Sequence, residues 1–439
     1  MELQALKDLL REAGVVGAGG AGFPTYAKLS DKVDTVILNC AECEPLLKLH
    51  RGVLEEYTGE VLSALSEILR ATGAARGIVA IKKHYRSTLA AVEAEIGDYP
   101  NLSVHTLPSV YPMGDEIILI KEVTGRTVQP GNLPVSVGVT VCNVETVYNV
   151  YRALRGQPVT HKFVTVAGEV KKPLTLRVPL GTPLTALVKA AGGATVEEPA
   201  YLVGGPMMGR LASARDTVTK TTNALILLPQ DHTVVLNKQR NAKIALRRAM
   251  SVCCQCRTCT ELCSRHTAGY PVTPHMVMRV LSNGGKGDIE ALGGSLYCSG
   301  CGLCEAYSCP QGLSPRTLIA ELKAATRAAG QKPPAGLTAE EEVKDADFHK
   351  VSVSRLMMRL GLKKYNLPAP LSGDLPVSAV RVLTSQHIGA PATPCVAEGD
   401  TVKAGDKIAA AADGALSVAI HAPIDGKITA VSEKYIKIN

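Results

Sequence analysis

The period of apolar and polar positions changes several times along the chain, and each change marks a boundary. Residues 1–14, MELQALKDLLREAG, put Leu3, Leu6, Leu9 and Leu10 at helical spacing among charged residues, which predicts an amphipathic helix. DTVILN at 34–39 then reads as a buried strand. It is followed by a helix in YTGEVLSALSEILRATG, a strand in GIVAIK, a helix in STLAAVEAEIG and a strand in LSVHTL. Such alternation predicts an α/β layer with a largely parallel sheet. YPMGDEIILIKEVTGR and VGVTVCNVETVYNVYRAL follow, with Glu116 and Glu145 near helix starts, where a carboxylate either caps the helix or serves a ligand.

From about His161 the pattern shortens to β pieces and turns, with one helix, in KFVTVAGEVKKPLTLRVPLGTPLTALVKAAGG and YLVGGPMMG. This predicts a small β-grasp module ending near Pro229. Residues 240–330 read as helices between cysteine loops, as in NAKIALRRAM and SPRTLIAELKAATRAAG. QKPPAGLTAEEEVKDADFHK at 331–350 predicts a solvated linker in which Thr338 and Glu341 form a capping box, and Leu356, Met357 and Leu360 then form a packed helical stripe. From about residue 376, strand-length runs separated by EGD, AGD, DG and PIDG turns look like the barrel-sandwich fold of biotinyl and lipoyl carriers. The corresponding turn holds Asp413, Gly414 and Ala415 in place of a carrier lysine, which argues against a swinging arm. The expected divisions are 1–158, 159–235, 236–330, a linker and helix at 331–374, and 375–439.

Composition narrows the function. A chain of 439 residues calls for about three or four domains, and 46% hydrophobic residues supply their cores. Trp is absent and aromatics reach only 4%, so stacking platforms for single-stranded nucleic acid are scarce. The formal charge of +8 comes from scattered Lys and Arg, which does not suggest a polyanion partner. No apolar run approaches the ~20 residues of a membrane span, and the N-terminus lacks a signal peptide's apolar core. A soluble cytoplasmic protein is expected.

Two patterns carry chemistry. GVVGAGGAGFPTYAKL at 14–29 fits G-x-G-x-x-G through Gly17, Gly19 and Gly22, yet the strand that a Rossmann turn requires is replaced by the first helix. The glycines join helix to helix, with Pro24 suited to the second helix's first turn. Either they form a flexible turn, or their N–H groups cradle a phosphate.

The thirteen cysteines, in a compartment that keeps thiols reduced, point to metal or redox chemistry. Cys253, Cys256, Cys259 and Cys263 give C-x2-C-x2-C-x3-C, while Cys298, Cys301, Cys304 and Cys309 give C-x2-C-x2-C-x4-C before Pro310. Zinc usually takes pairs rather than triplets, whereas doubled triplets are specific for four-iron clusters. In two-cluster ferredoxins each run's fourth cysteine serves the other cluster. That rule groups Cys253, Cys256, Cys259 and Cys309 at one centre and Cys298, Cys301, Cys304 and Cys263 at the other. The extra residue before Cys309, and Ser264 after Cys263, depart from the usual spacing. Cys254 reads as a spectator, Cys40 and Cys43 as a C-x2-C without partners, and Cys142 and Cys395 as small buried hydrophobes. His387 and His421, in matching turns of the tail, read as structural.

Specific segments resemble known families. GAGGAGFPTYAKL, NCAECEP, YPMGDE and NVET resemble the flavin site of the flavin-bearing subunit of complex I. AECEP with Ala41, GGPMMG, the two cysteine runs and QHIGAPATPCVAEGDTVKAGDKI look more like the RnfC component of the Rnf electron-transfer complex. Because the barrel-sandwich segment comes last, the arrangement is similar to the cobalamin reductases of propanediol-utilisation microcompartments. The resemblance implies a multidomain α/β protein. Its parts would be a complex-I-like FMN and NADH domain, a β-grasp module of SLBB type, a helical two-cluster ferredoxin-like domain and a barrel-sandwich hybrid. It implies FMN and two [4Fe-4S] clusters as cofactors, NADH as donor, a corrinoid as acceptor, and a shell protein or corrinoid-handling enzyme as partner. Delivery of electrons to or from a protein, as in the Rnf complex, is the alternative. Carried over by motif, Gly17, Gly19, Gly20, Gly22 and Lys28 would hold the FMN phosphate and ribityl chain. Asn39, Glu42 and Glu44 would approach the isoalloxazine and nicotinamide, with Tyr111, Gly114, Asp115, Glu116, Asn143, Glu145 and Thr146 completing the pocket. Ala41 and Asp115 stand where complex I has aspartate and glutamate.

Overall fold

Runs that are apolar on both faces form the first sheet of the computed structural model, which describes residues 1–439 except the side chain of Ile289. Its strands are β1 (Thr35–Cys40), β2 (Arg76–Lys82), β3 (Leu102–Leu107) and, after a two-residue β4 (Val110–Tyr111) outside it, β5 (Val139–Asn143). Val36, Ile37 and Leu38 of β1 are wholly buried, as expected of a strand covered on both faces. Helices α1 (Leu3–Glu12) and α2 (Thr25–Lys28) flank the glycine loop. They are followed by α3 (Leu49–Glu56), α4 (Thr58–Thr72), α5 (Arg86–Glu95), α6 (Glu116–Thr124) and α7 (Val144–Leu154). Helix α3, which the sequence pattern did not reveal, buries Leu49, Val53 and Leu54. The sheet is parallel in the order β3-β2-β1-β5. The chain leaves β1 toward β2 on one side, and β5 returns on the other. The crevice outside the carboxyl ends of β1 and β5 is therefore a topological switch point, where open α/β sheets bind ligands. Asn39 and Asn143 are register partners at that edge.

The second sheet has the order β12-β7-β6-β10-β8-β9. Its strands are β6 (His161–Gly168), β7 (Leu174–Pro179), β8 (Ala200–Val203), β9 (Arg210–Ala212) and β10 (Ala224–Leu228). Helix α8 (Leu184–Ala190) packs Leu184 and Leu187 into the same core as Val164, Val166 and Leu225. Two strands come from beyond residue 350: β11 (Val351–Ser352) pairs with β4, and β12 (Leu371–Asp374) forms the sheet's edge against β7. Helices α9 (Thr233–Lys238) and α10 (Ala242–Val252) lead into the cysteine region.

The linker differs from expectation. Thr338 and Glu341 lie in non-helical backbone, so no capping box forms. The amides of this segment are bound to other parts of the chain: Ala339 N–H to Gln129 Oε1 (2.7 Å), Glu340 N–H to the Gly269 carbonyl (2.9 Å) and Val343 N–H to that of Thr267 (3.1 Å). Residues 339–343 thus strap two units together. The packed stripe does form, with Leu356 and Leu360 buried.

The tail folds as two small sheets around Ile408, Ile420, Ile428 and Ile436. Cys395 is exposed there rather than buried, because it follows a two-residue edge strand, Thr393–Pro394. Lys220, from the second unit, is fully buried where the tail meets the glycine loop, and donates to the carbonyls of Gly14 (2.7 Å) and Ala419 (3.0 Å). Burial lowers its pKa to about 7, with His387 and His421 near enough to feel its charge. The unfolded chain, with the ordinary lysine value near 10.5, then holds the extra proton above pH 7. Stability from this group is complete above about pH 10.5 and is lost as the pH falls toward 7. Between pH 7 and 9 the wild-type protein should therefore gain up to about 1.4 kcal/mol per pH unit relative to Lys220→Met in urea unfolding. Parallel pH profiles for the two would overturn this.

Candidate functional site

A cleft of about 400 Å³ opens at the switch point. Its lining includes Gly17, Gly19, Gly20, Gly22, Lys28, Asn39, Glu42, Glu44, Gly114, Glu116, Asn143 and Thr146. The glycine loop is pinned by Ala18 N–H to Thr146 Oγ1 (2.9 Å) and Gly17 N–H to the Phe23 carbonyl (2.9 Å). Among the described residues, the amides of Gly19, Gly20 and Ala21 donate to no protein acceptor. Gly20 and Gly22 have φ of +61° and +69°, which glycine adopts without strain. A Cβ on Gly19 would lie 2.9 Å from Asn223 Nδ2, so a side chain there would crowd the cradle. Lys28 reaches Glu116 and the Val141 carbonyl, which places its ammonium in the cleft.

Two buried polar atoms of cleft residues, Thr25 Oγ1 and Asn223 Oδ1, have no hydrogen-bond partner, and Glu42 Oε2 has only the Arg51 guanidinium at 3.6 Å. Buried polar atoms are ordinarily satisfied, so these point to a polar ligand. Free amides for a phosphate, unsatisfied polar atoms for ribityl hydroxyls and a ring edge, and the apolar faces of Leu47 and Val141 fit an FMN. Glu42 sits at φ +35°, and its Oε1 accepts from His50 N–H (2.8 Å). Desolvation raises the Glu42 pKa despite Arg51 nearby. His50 also lines the cleft beside Asn143 (2.8 Å between Asn143 Nδ2 and His50 Nε2), and burial lowers its pKa to about 3. It is therefore neutral and accepts from the Asn143 amide. Neither His50 nor Asn223 was legible in the sequence. His50 lies on the unforeseen helix α3, and Asn223 comes from another unit.

Glu44 lines the cleft, but both its oxygens are engaged by the GGPMMG turn. Oε2 accepts from Met207 N–H (2.9 Å) and Oε1 from Met208 N–H (2.8 Å). Lys238 Nζ donates to the Met207 and Gly209 carbonyls at the same turn (3.2 and 2.6 Å). Glu44→Ala strands two amides and should cost about 3 kcal/mol in urea unfolding. A loss under 0.5 kcal/mol, on the order of an ordinary surface change, would show the latch to be unimportant.

Tyr111, Asp115 and Glu145 do not line the cleft. Glu145 turns from α7 to a buried ion pair with Lys162 and accepts from Phe163 N–H (2.9 Å). Asp115 caps α6, accepting from Ile117 N–H (3.0 Å), and pairs with Arg265 at 2.8 Å. Tyr111 donates its hydroxyl to the Cys301 carbonyl (2.7 Å). Each is drawn off by a partner from a distant part of the chain, which no local motif discloses.

The two cysteine runs adopt matching loops. Gln255 and Arg257 in the first, and Gly300 and Gly302 in the second, have left-handed φ at equivalent positions between the thiols. Cys253, Cys256, Cys259 and Cys309 line one hollow. After burial, the charges of Cys309, Cys256 and Cys253 are the largest influences raising Cys259, to about 12. Burial, followed by Cys298, Cys301 and Cys263, raises Cys304 in the same manner. The thiols thus group crosswise. Gly300 N–H and Leu313 N–H donate to the Cys298 and Cys309 sulfurs (3.3 Å each), which suits a donor set carrying negative charge. Cys254 is exposed, beside the first group.

Four family descriptions match this architecture: Nuo51 FMN-binding domain over 10–152, SLBB domain over 163–211, 4Fe-4S dicluster domain over 252–314 and RnfC barrel sandwich hybrid domain over 363–439. The chain is thus a multidomain oxidoreductase with FMN and iron–sulfur clusters as cofactors. It is 40% identical to the cobalamin reductase PduS of Citrobacter freundii over 440 residues, covering 100% of this chain and 97% of that one. The Salmonella typhimurium protein of the same name is 41% identical, over 99% and 96% of the two chains. A component of the Na(+)-translocating ferredoxin:NAD(+) oxidoreductase complex of Acetobacterium woodii is 33% identical over 273 residues, 61% of this chain and 59% of that one. The chain belongs to the PduS cobalamin reductase family. No helix among the described residues is long and apolar enough to cross a membrane.

Proposed function

We propose that this protein takes electrons from NADH at the switch-point cleft and passes them through FMN and two [4Fe-4S] clusters to a corrinoid. The observation that carries this reading is the coupling of cleft to thiols. Glu116 lines the cleft next to Asp115, Asp115 holds Arg265 two residues beyond Cys263, and Tyr111 holds the Cys301 carbonyl. The residues proposed to hold FMN are Gly17, Gly19, Gly20, Gly22, Lys28, Asn39, Glu42, Asn143 and Thr146. Cys253, Cys256, Cys259 and Cys309 would hold one cluster, and Cys298, Cys301, Cys304 and Cys263 the other. A bound flavin accepts a hydride and releases electrons singly, which matches a two-electron donor to one-electron carriers. The chain's own contribution is to fix the cleft beside the second thiol group through Tyr111, Asp115 and Arg265.

The test is anaerobic. NADH should bleach the flavin and cluster absorption of the holoprotein, and hydroxocobalamin added next should be reduced faster than by free FMN. Unchanged spectra under NADH would refute the donor, and bleaching without cobalt reduction would refute the acceptor.

A second reading, delivery to a protein, is favoured by one surface. On α10, Ile244, Met250 and Val252 are exposed, with Lys243, Arg247 and Arg248 exposed on the same helix and Cys254 and Cys256 exposed just beyond it. An apolar and basic face beside thiols of the first group suits an acidic redox protein. Reduction of an acidic ferredoxin should slow at least tenfold in Arg247→Glu/Arg248→Glu at low salt, with ferricyanide reduction unchanged. Equal rates would discard this surface. The family's setting implies work inside a bacterial microcompartment, with a shell protein or corrinoid-handling enzyme as the partner.

A further inference from the structure

We propose that the corrinoid docks, with part of the molecule inserted, in the open-sided hollow of about 590 Å³ lined by α6, the backbone on either side of Cys263, and residues 342–350. The inference rests on the corrinoid reading above and locates the site, which no motif in the sequence marks.

Position comes first. Leu262 and Ser264, on either side of Cys263, line this cavity, as do Tyr111, Pro112 and Met113, which immediately precede Gly114 of the flavin cleft. The cavity therefore lies behind the cleft, on the far side of the YPMGDE segment, against the second thiol group. A one-electron acceptor seated there adjoins a proposed cluster without competing for the nicotinamide's place. Another hollow, about 410 Å³, is lined by Thr185, Val188 and Tyr201 of the second unit, and no cysteine borders it.

The lining chemistry comes next. Its charges are two lysines against four carboxylates: Lys121 pairs with Glu342 (3.3 Å), Lys350 pairs with Glu122 (3.4 Å) and Asp347 (2.7 Å), and Asp345 adds a further negative charge, so the lining is net acidic. Beside these charges lie apolar surface from Val110, Met113 and Ile118, the His349 imidazole, and the Phe348 ring, 86% exposed. Ser264 Oγ is buried without a hydrogen-bond partner. An acidic lining with apolar patches disfavours a polyanion and suits a broad ring of neutral or positive charge bearing methyl and amide groups. Phe348 offers an exposed planar face at the rim.

The wall formed by 342–350 is held in place by the strap at Ala339, Glu340 and Val343 and by β11 pairing with β4. The reaction served there is a single electron transfer. A [4Fe-4S] cluster held by Cys263, Cys298, Cys301 and Cys304 would supply the single electron that takes Co(III) to Co(II). NADH supplies two such electrons and releases one proton.

Binding tests the site without relying on turnover. Hydroxocobalamin is equilibrated by dialysis against the FMN- and iron-loaded full chain, against Val343→Trp, which fills the cavity, and against Phe348→Ala, which removes the rim ring. Each variant is expected to weaken binding at least tenfold while flavin content, iron content and NADH-driven ferricyanide reduction stay as in the wild type. Wild-type affinity in both variants would place the corrinoid elsewhere and leave the reductase reading intact. Failure of the wild-type holoprotein to bind or reduce hydroxocobalamin would overturn the reading and this site together.

Discussion

Replacing Lys162 with Met is expected to destabilise the protein by about 3–5 kcal/mol, because it leaves the Glu145 carboxylate buried without its cation. Both side chains of this pair are only 1% exposed, and both pKa values are moved chiefly by desolvation, Glu145 upward and Lys162 downward. The environment thus works against charge on each, and their mutual contact offsets it. The double variant Glu145→Gln/Lys162→Met should recover most of the loss, since glutamine retains an acceptor for Phe163 N–H and no charge remains buried. Urea unfolding of the two variants and the wild type makes the comparison. A single variant as stable as the wild type, or a double variant no better than the single, would show that the pair does not hold α7 against β6. Since α7 carries Asn143 as its cap and Thr146 in its first turn, the single variant should also retain less FMN.

The second large effect concerns iron. Two four-iron clusters give about eight iron atoms per chain, and Cys309→Ala should reduce this to about four. The pattern of loss is the informative part. If thiols serve crosswise, Cys309→Ala should give the same residual electron paramagnetic resonance signal as Cys256→Ala, and Cys263→Ala the same as Cys301→Ala. Pairing within runs would instead make Cys309→Ala match Cys301→Ala. The grouping of Cys309 with Cys253, Cys256 and Cys259 in one hollow, and the action of Cys263 on Cys304, argue for the crosswise result. The surviving signal also reports environment. Cys263, Cys301 and Cys304 are buried whereas Cys256 is exposed, so the cluster proposed on the first group should be the more sensitive to solvent exchange.

Elements whose chemistry is local were legible in advance. The strand at 34–39 and the helix at 58–72 announce themselves by unbroken apolar runs and by helical period, and the glycine loop by the residue type that adopts the required φ without strain. Helix α3 was hidden because Leu49, Val53 and Leu54 are too few to display a period. The capping box at Thr338 and Glu341 had the right spelling, but the amides of Ala339 and Glu340 found stronger partners across the chain. Cys395 was misplaced because burial of a small residue depends on what covers its strand.

By itself the sequence determined the kinds of chemistry present: loops able to cradle a phosphate, eight thiols spaced to encircle clusters, and a period that changes from α/β to β to helix and back to β. These follow from backbone freedom, ligand spacing and side-chain period, all of which act over a few residues. Tertiary structure alone decided which groups meet. It took Glu145 out of the cleft and into a pair with Lys162, gave Asp115 to Arg265, brought Asn223 to the glycine loop and set residues 342–350 against the backbone on either side of Cys263. Those choices depend on desolvation and on partners tens to hundreds of residues away, where the cost of burying one charge is set by whichever opposite charge the fold delivers beside it.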